Sequence, residues 1–317
     1  MKNFAMLGKW HVHAAGYAQE LNALPGCRVV KVWDKDQAQA SQWAQELNCQ
    51  SASVEDILSD AAIDGVIVCC ATNEHTPLIL RACQAGKAVF TEKVLALTAR
   101  ETEEIKAAVE THSVRFAISF PHFSEPGTQF SLHTALSGKL GQLNYARIRK
   151  AHNGATANWL PSHFYDPIAC GGGAMIDLGA HPMYLLCALL GEPTAVQSAF
   201  TEVTGKGVED NAVSLLRFES GAIGVSETSF VSCRYPFTIE IGGTEGSLLQ
   251  RDQDVTYCCP ETNNQWRAPD RLPDPLPSPL AQWALAGRAE DIPQCFGIDA
   301  ALRLTRVMEM AYAAYRK

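Results

Sequence analysis

Three side chains in this sequence could together move a proton and steady an oxyanion: Lys93, Asp177 and His181. A histidine titrates near neutrality and can take the proton of a hydroxyl group, while an ammonium group stabilises the alkoxide left behind. Lys93 ends the run Phe90-Thr91-Glu92-Lys93. It is either a catalytic cation at the mouth of a buried strand or a solvated strand-end lysine. Asp177 and His181 stand four residues apart in Gly171-Gly172-Gly173-Ala174-Met175-Ile176-Asp177-Leu178-Gly179-Ala180-His181. One helix over Ala174–Leu190, stopped by Gly191 and Pro193, would put both on the same face. Such a pair also serves as a helix salt bridge or as part of a metal site.

A second constellation lies near the start. The turn Gly8-Lys9-Trp10-His11-Val12-His13 follows the apolar run Phe4–Leu7 and precedes a helical pattern over His13–Leu24. In this context the phosphate-binding fingerprint is GxGxxG, whose glycines let backbone N–H groups approach a pyrophosphate. Only the first glycine is kept; Trp10 and His13 stand at the other two places. Asp34 closes the next apolar run, Arg28–Trp33, 26 residues after Gly8. A carboxylate there accepts the hydroxyls of an adenine ribose and repels a 2′-phosphate, which favours NAD. Lys31 and Lys35 are close in sequence and keep NADP open. Asp34 could equally cap the following helix. Ala71-Thr72-Asn73-Glu74-His75 follows the third apolar run and places small and polar groups where a cofactor would pass, or caps a helix there. The cofactor contacts expected from these segments are Gly8, Trp10, His11, Val12, Asp34, Lys35, Ala71, Thr72, Asn73, His75, Glu92 and Lys93.

The elements that must position these groups follow from periodicity. Short apolar runs at Phe4–Leu7, Arg28–Trp33, Gly65–Ala71, Ala88–Phe90 and Val114–Phe120 alternate with helical patterns at His13–Leu24, Ala38–Leu47, Thr76–Ala85 and Ala99–Thr111. That alternation predicts an α/β domain over 1–120, a doubly wound parallel sheet with helices on both faces. After Pro121 the pattern changes. A helix over Pro126–Ser137 leads into long alternating segments at Leu143–Lys150, Ala212–Phe218, Ala222–Val231 and Pro236–Ile241. These predict an α+β domain over 121–317 with a large, mostly antiparallel sheet whose second face is open. Pro260–Pro279 reads as a surface loop. The chain closes with a helix over Asp299–Arg316, with Asp299 as its N-cap.

Composition narrows the function classes. Lys plus Arg is 26 and Asp plus Glu is 34 in 317 residues, a formal charge of −8 with no basic block, which argues against nucleic-acid binding. The longest wholly apolar run, Met183–Leu190, is far below the roughly 20 residues a bilayer needs, so no membrane span is expected. The first residues enter a strand directly, with no signal-peptide pattern, and point to the cytoplasm. The eleven cysteines include no CxxC pair and are expected to be reduced and mostly buried.

Taken in order, these residues resemble the glucose–fructose oxidoreductase/inositol dehydrogenase (GFO/IDH/MocA) family along essentially the whole chain. The matching stretches are Ala71–Pro77, Ala85–Lys93, Gly171–His181 running on to Leu190-Gly191-Glu192-Pro193, Glu209-Asp210-Asn211-Ala212 and the C-terminal helix. The resemblance implies a Rossmann domain followed by a substrate-binding domain, and NAD(P)-dependent hydride transfer at a secondary alcohol of a sugar or cyclic polyol. It places Lys93 by the nicotinamide, His181 as acid–base group, and Asp177 as a residue that holds the substrate and orients the site. It also implies a homodimer or homotetramer made through the C-terminal sheet; no metal is expected, because the sequence holds no compact ligand-spacing motif.

The sequence departs from the family pattern at Trp10 and His13, at Val94 in place of a proline, and at Pro121-His122-Phe123. A cis bond at Lys93–Val94 is not expected, since cis linkages belong to proline. His122, His152, His163 and Tyr165 are candidate substrate contacts, the last three in a segment rich in His and aromatics that is either a substrate loop or a structural one. Two rival readings are a non-catalytic dinucleotide-binding regulator and a metal-dependent hydrolase using Asp177, His181, His152 and His163.

Overall fold

The computed structural model describes residues 1–315. The chain divides into two compact units, Met1–Phe120 with Pro277–Thr305, and Pro121–Leu276 with Arg306–Lys317.

The first unit is built from β1 (Lys2–Leu7), α1 (Ala14–Ala23), β2 (Cys27–Trp33), α2 (Gln37–Glu46), β3 (Gln50–Ser51), α3 (Val54–Leu58), β4 (Gly65–Val68), α4 (Thr72–Gln84), β5 (Ala88–Thr91), α5 (Ala99–Thr111) and β6 (Phe116–Ile118). Its six strands are parallel in the order β3-β2-β1-β4-β5-β6. This is the doubly wound arrangement with its switch point between β1 and β4. The apolar runs form the sheet because all four residues of β4 and of β5 are buried, as parallel strands covered on both faces must be. Helix α5 starts with a complete capping box between Thr98 and Glu101. β3 and α3 have no counterpart in the sequence reading. Two exposed strand residues and a five-residue helix are too short to show a period.

The second unit contains α6 (Pro126–Leu136), β7 (Leu143–Ala151), α7 (Pro167–Cys170), α8 (Ala174–Asp177), α9 (Ala180–Leu190), β8 (Pro193–Thr201), β9 (Asn211–Phe218), β10 (Ile223–Ser229), β11 (Thr238–Gly243), β12 (Ser247–Arg251) and β13 (Asp254–Cys258). Its seven strands run β13-β12-β11-β7-β10-β9-β8, antiparallel except for the β7–β10 pair. The expected helix over Ala174–Leu190 is two helices. The chain turns at Leu178-Gly179, and the segments on either side are inclined by 55°. A Cβ on Gly179 would stand 2.3 Å from the Met175 carbonyl oxygen, so the turn closes on its own previous turn.

The expected second domain, 121–317, loses Pro277–Thr305 to the first unit. The reason is a helix inside the proline-rich stretch, α10 (Pro279–Leu285), capped by Ser278. It carries Trp283, fully buried against Phe4 at 5.1 Å and Phe90 at 5.7 Å between ring centroids. Lys2 Nζ donates to the Ala284 and Ala286 carbonyls at 2.8 Å each, closing the C-terminal end of α10. The last helix, α11 (Ile298–Tyr315), begins one residue before Asp299. That residue therefore lies in its first turn rather than at the cap, and pairs with Lys106 at 2.8 Å. Arg316, the expected end of this helix, lies outside the described residues. No single helix is long and apolar enough to cross a membrane. All eleven cysteines are free, and seven of them are buried.

Candidate functional site

In the first unit the β1–α1 turn sits beside the end of β4. Gly8 adopts φ +93°, and a Cβ there would stand 2.7 Å from the Cys70 backbone, so only glycine fits. The His11 N–H donates to the Cys69 carbonyl at 3.0 Å. His13 occupies the N-cap of α1 without a side-chain hydrogen bond to the helix, and the first N–H group of α1, that of Ala14, donates to the His11 carbonyl at 3.0 Å.

Asp34 is not a helix cap. Asp36 caps α2, accepting from the Ala38 and Gln39 N–H groups. Asp34 instead accepts the Lys9 N–H at 2.7 Å and the Asp36 N–H at 2.9 Å, which holds its carboxylate at the carboxyl end of β2 beside the turn. The two lysines that kept NADP open are each engaged by a carboxylate: Lys31 by Asp60 at 2.8 Å and Lys35 by Glu74 at 2.6 Å. Ala71 is the N-cap of α4, and Thr72, Asn73 and His75 lie in its opening turns. His75 is buried between the Leu95 and Cys70 carbonyls, at 3.1 and 3.2 Å, and burial lowers its pKa. Its position is that of a buried brace for the two segments that follow β4 and β5.

Glu92 is the charged centre of this unit and is 1% exposed. Its Oε1 lies 2.7 Å from His13 Nδ1 and 3.7 Å from His11 Nδ1, and it accepts from the Tyr17 hydroxyl. Tyr17 Oη is also 2.7 Å from Ser119 Oγ. Burial opposes the charge of Glu92, but His11, His13 and Lys93 outweigh it and hold the carboxyl well below the usual carboxylate range. Burial and the neighbouring Glu92 raise the Tyr17 phenol, which therefore stays a donor. Tyr17 read only as part of a helix stripe in the sequence; nothing local marks its hydroxyl.

Lys93 is buried beside Glu92, and its backbone N–H donates to Glu92 Oε2 at 3.0 Å. The Lys93–Val94 bond is cis, contrary to the expectation from the missing proline. Tertiary neighbours surround this bond: Val94, Leu95 and Ala96 are buried and His75 holds the Leu95 carbonyl. A rule about the local residue type does not include such contacts.

In the second unit His181 is the second residue of α9 and is buried. Its Nδ1 is 3.3 Å from the Tyr184 hydroxyl. The His122 ring meets it edge to face, with centroids 4.9 Å apart and planes at 84°. His122 itself stacks on Phe237 at 4.2 Å, faces Glu125 at 2.8 Å, and donates its backbone N–H to Tyr184 Oη at 3.2 Å. His122 is therefore part of the His181 cluster. Tyr184 was missed, although its i+3 spacing from His181 puts it on the same helix face. Asp177 ends α8, so it does not share a continuous helix with His181 as the spacing had suggested.

The glycine run before Asp177 is anchored by two residues the sequence did not single out as functional. Glu209 Oε1 accepts the Gly173 and Met175 N–H groups at 2.9 and 3.0 Å and the Tyr312 hydroxyl at 2.6 Å. Tyr312 Oη accepts the Ile176 N–H at 3.1 Å. A Cβ on Gly172 would fall 2.0 Å from that hydroxyl oxygen, so the phenol needs the glycine. Burial raises the pKa of both Glu209 and Tyr312.

The remaining candidates pack against other partners. His152 stacks on Phe230 at 5.1 Å and accepts the Gly154 N–H at 3.0 Å, which folds the loop after β7. Tyr165, with Asn158, Trp159 and Lys206, lines an open hollow of about 690 Å³, and the Lys206 ammonium lies 4.6 Å over its ring. His163 is in the same short turn as Tyr165. Among the described residues, the one group of His, Cys, Asp or Glu side chains with metal-ligand geometry is His11, His13 and Glu92. The hydrolase reading needed His152 and His163 to join Asp177 and His181, and among the described residues these four form no group with metal-ligand geometry.

The class these features define is a two-unit oxidoreductase whose first unit is an NAD-binding Rossmann domain. Residues 2–120 match the oxidoreductase family with an NAD-binding Rossmann fold, and residues 134–249 match the GFO/IDH/MocA C-terminal domain. The chain belongs to the GFO/IDH/MocA family. It is 27% identical over 299 residues to the scyllo-inositol 2-dehydrogenase (NAD(+)) of Bacillus subtilis (strain 168), covering 90% of this chain and 85% of that one. It is 27% identical over 237 residues to the 1,5-anhydro-D-fructose reductase of Ensifer adhaerens, covering 72% and 69%. The fold is that of a levoglucosan dehydrogenase solved with NADH and levoglucosan, with a TM-score of 0.86 at 18% identity over 99% of this chain and 97% of that one.

Proposed function

We propose that this protein reversibly oxidises a secondary alcohol of a sugar, cyclic polyol or related hydroxylated small molecule with NAD. The observation that carries the reading is His181, buried and fixed at Nδ1 by Tyr184, in a chain whose first unit belongs to an NAD-binding oxidoreductase family. The substrate class is supported by the names of the relatives, an inositol dehydrogenase and a sugar reductase.

When bound, the nicotinamide would supply the acceptor for a hydride, the two electrons and one proton of the substrate's C–H bond. Gly8, Trp10, His11 and Val12 form the turn that receives its pyrophosphate, and Asp34 takes the ribose hydroxyls. Lys35, Ala71, Thr72, Asn73, Glu92 and Lys93 complete the wall along the strand ends, and His75, expected to be a contact, braces that wall from behind. Gly8 and the N-terminus of α1, where His13 makes no side-chain cap, fit such a group; Trp10 and His13 change how the turn is lined. Because Tyr184 holds Nδ1, Nε2 of His181 takes the substrate's hydroxyl proton. Lys93 stabilises the developing alkoxide, and Asp177 holds a neighbouring hydroxyl. His122 supports the His181 ring from the side. His152, His163 and Tyr165 are proposed to meet the distal part of the substrate.

The first test is a fluorescence titration with NADH and, separately, NADPH. Tighter binding of NADH is expected, since Asp34 would repel a 2′-phosphate and both nearby lysines are paired. Preference for NADPH would overturn the role of Asp34, and binding of neither would sink the dehydrogenase reading.

The exposed face of the second sheet is proposed to join copies of the chain into a homodimer or homotetramer. Leu215, Val225, Arg147, Glu240 and Leu249 form one row across five strands. Leu215, Ile223 and Leu249 are exposed there around the Arg147–Glu227 pair. An apolar stripe with a charged centre suits a self-complementary contact. Sedimentation should show an assembly that Leu215→Glu dissociates; a wild-type monomer would remove this surface from consideration.

A further inference from the structure

We propose that His11, His13 and Glu92 form a binding site for one zinc-class dication within the β1–α1 turn. Two of these residues are what set this turn apart: His13 stands where the phosphate-binding fingerprint has its third glycine, and His11 stands two residues earlier. One ring nitrogen of each histidine and a Glu92 oxygen all lie within 4.8 Å of one another. The distances to Glu92 Oε1 are 3.7 Å from His11 and 2.7 Å from His13. Ligand bonds of about 2.0–2.2 Å in a tetrahedral site put ligand atoms roughly 3.3–3.6 Å apart, so the His11–Glu92 spacing is already close to that and the His13–Glu92 pair must open by roughly 0.6–0.9 Å.

The chemistry of the three groups fits the same conclusion. His11 Nδ1 accepts the His13 N–H at 3.2 Å, so its lone pair is directed at that N–H, and binding an ion exchanges this hydrogen bond for the metal bond. Glu92 is oriented by the Tyr17 hydroxyl, and Tyr17 in turn meets Ser119, an outer shell of the kind that holds ligating carboxylates. Glu92 is 1% and His11 6% exposed, while the His13 side chain is 47% exposed. The site is thus rigid on two sides and open on the third, with a path for the ion and room for a fourth ligand from solvent. Two imidazoles and one carboxylate select zinc, nickel or copper over calcium or magnesium, which take mostly oxygen. The ion would sit in the same turn that is proposed to receive the cofactor's pyrophosphate, and its binding is read on the metal itself, apart from any turnover by His181 or Lys93.

The test uses the full-length protein, stripped with a chelator and dialysed against zinc chloride or, in parallel, cobalt(II) chloride. One zinc per chain is expected by elemental analysis, and the cobalt form should show visible ligand-field bands without the near-ultraviolet band of thiolate coordination. That control matters because all eleven cysteines are free. His13→Gln, a half-exposed position whose side chain makes no cap bond to α1, should keep the native circular dichroism and weaken zinc binding by at least about 10–100-fold. His11→Gln should do the same. Unchanged affinity in both variants, a persistent thiolate band, or no retained metal would each overturn the site.

Discussion

Replacing His181 with asparagine is expected to lower turnover by about 10²–10⁴-fold while leaving NADH affinity unchanged, the range in which a positioned proton acceptor contributes. Asparagine keeps a polar group of similar reach beside Tyr184 but cannot take a proton. The environment makes this substitution readable. His181 lies among His122, Tyr184 and the α9 backbone of the second unit, whereas the turn proposed for the pyrophosphate belongs to the first. A variant that binds NADH normally and loses turnover separates the proton step from cofactor binding. Full turnover in His181→Asn would remove this residue from catalysis and shift the acid–base role elsewhere in the second unit. Single-turnover measurement with a polyol that the wild type accepts is the appropriate assay, because it reads the chemical step rather than product release.

The largest expected effect on stability comes from Trp283→Ala, a loss of about 3–5 kcal/mol in the first unit. Trp283 is completely buried and touches Phe4 of β1 and Phe90 of β5, at the centre of the parallel sheet. Its indole N–H donates to the Arg115 carbonyl at 3.3 Å, and the Arg115 guanidinium lies 5.5 Å over its ring. Gly65 leaves the space: a Cβ there would stand 3.1 Å from the indole and 2.8 Å from the Ala88 carbonyl oxygen. Truncation therefore opens a cavity between a strand and a helix that the rigid sheet cannot close. Urea unfolding followed by far-ultraviolet circular dichroism measures the loss, read on the transition of the first unit, since two units need not unfold together. A loss under about 1 kcal/mol would show that α10 is a surface appendage and not part of this core.

Much of the first unit was legible in its residues. Buried parallel strands are continuously apolar, so Phe4–Leu7 and the run Gly65–Ala71, whose strand ends at Val68, declared themselves, while Arg28–Trp33 was marked by its β-branched residues; α5 matched its pattern from Ala99 to Thr111. The alternation of β9, buried and exposed by turns from Asn211 to Phe218, likewise showed a half-covered sheet. Short elements with no period, such as β3 and α3, did not show. The candidate residues were legible by type: Lys93, His181, Asp34 and Gly8 are residues whose chemistry or conformational freedom is visible in the letter itself.

What the sequence alone determined, then, were the class of each unit, the boundary at Phe120–Pro121 and the types of side chain available for chemistry. Their grouping came from the tertiary structure. Local spacing placed Asp177 and His181 on one helix, but the close packing of Gly179 on Met175 breaks it. Glu92 became the centre of a charged cluster only because β5 ends where Tyr17 and both histidines of the turn converge on it. Proline-rich residues near 277 looked like loop, yet the return of Trp283 to the sheet binds them to the first unit. In each case the deciding contact joins residues distant in sequence or fills a space of fixed size. Periodicity reports which face of an element is covered, not which side chain covers it.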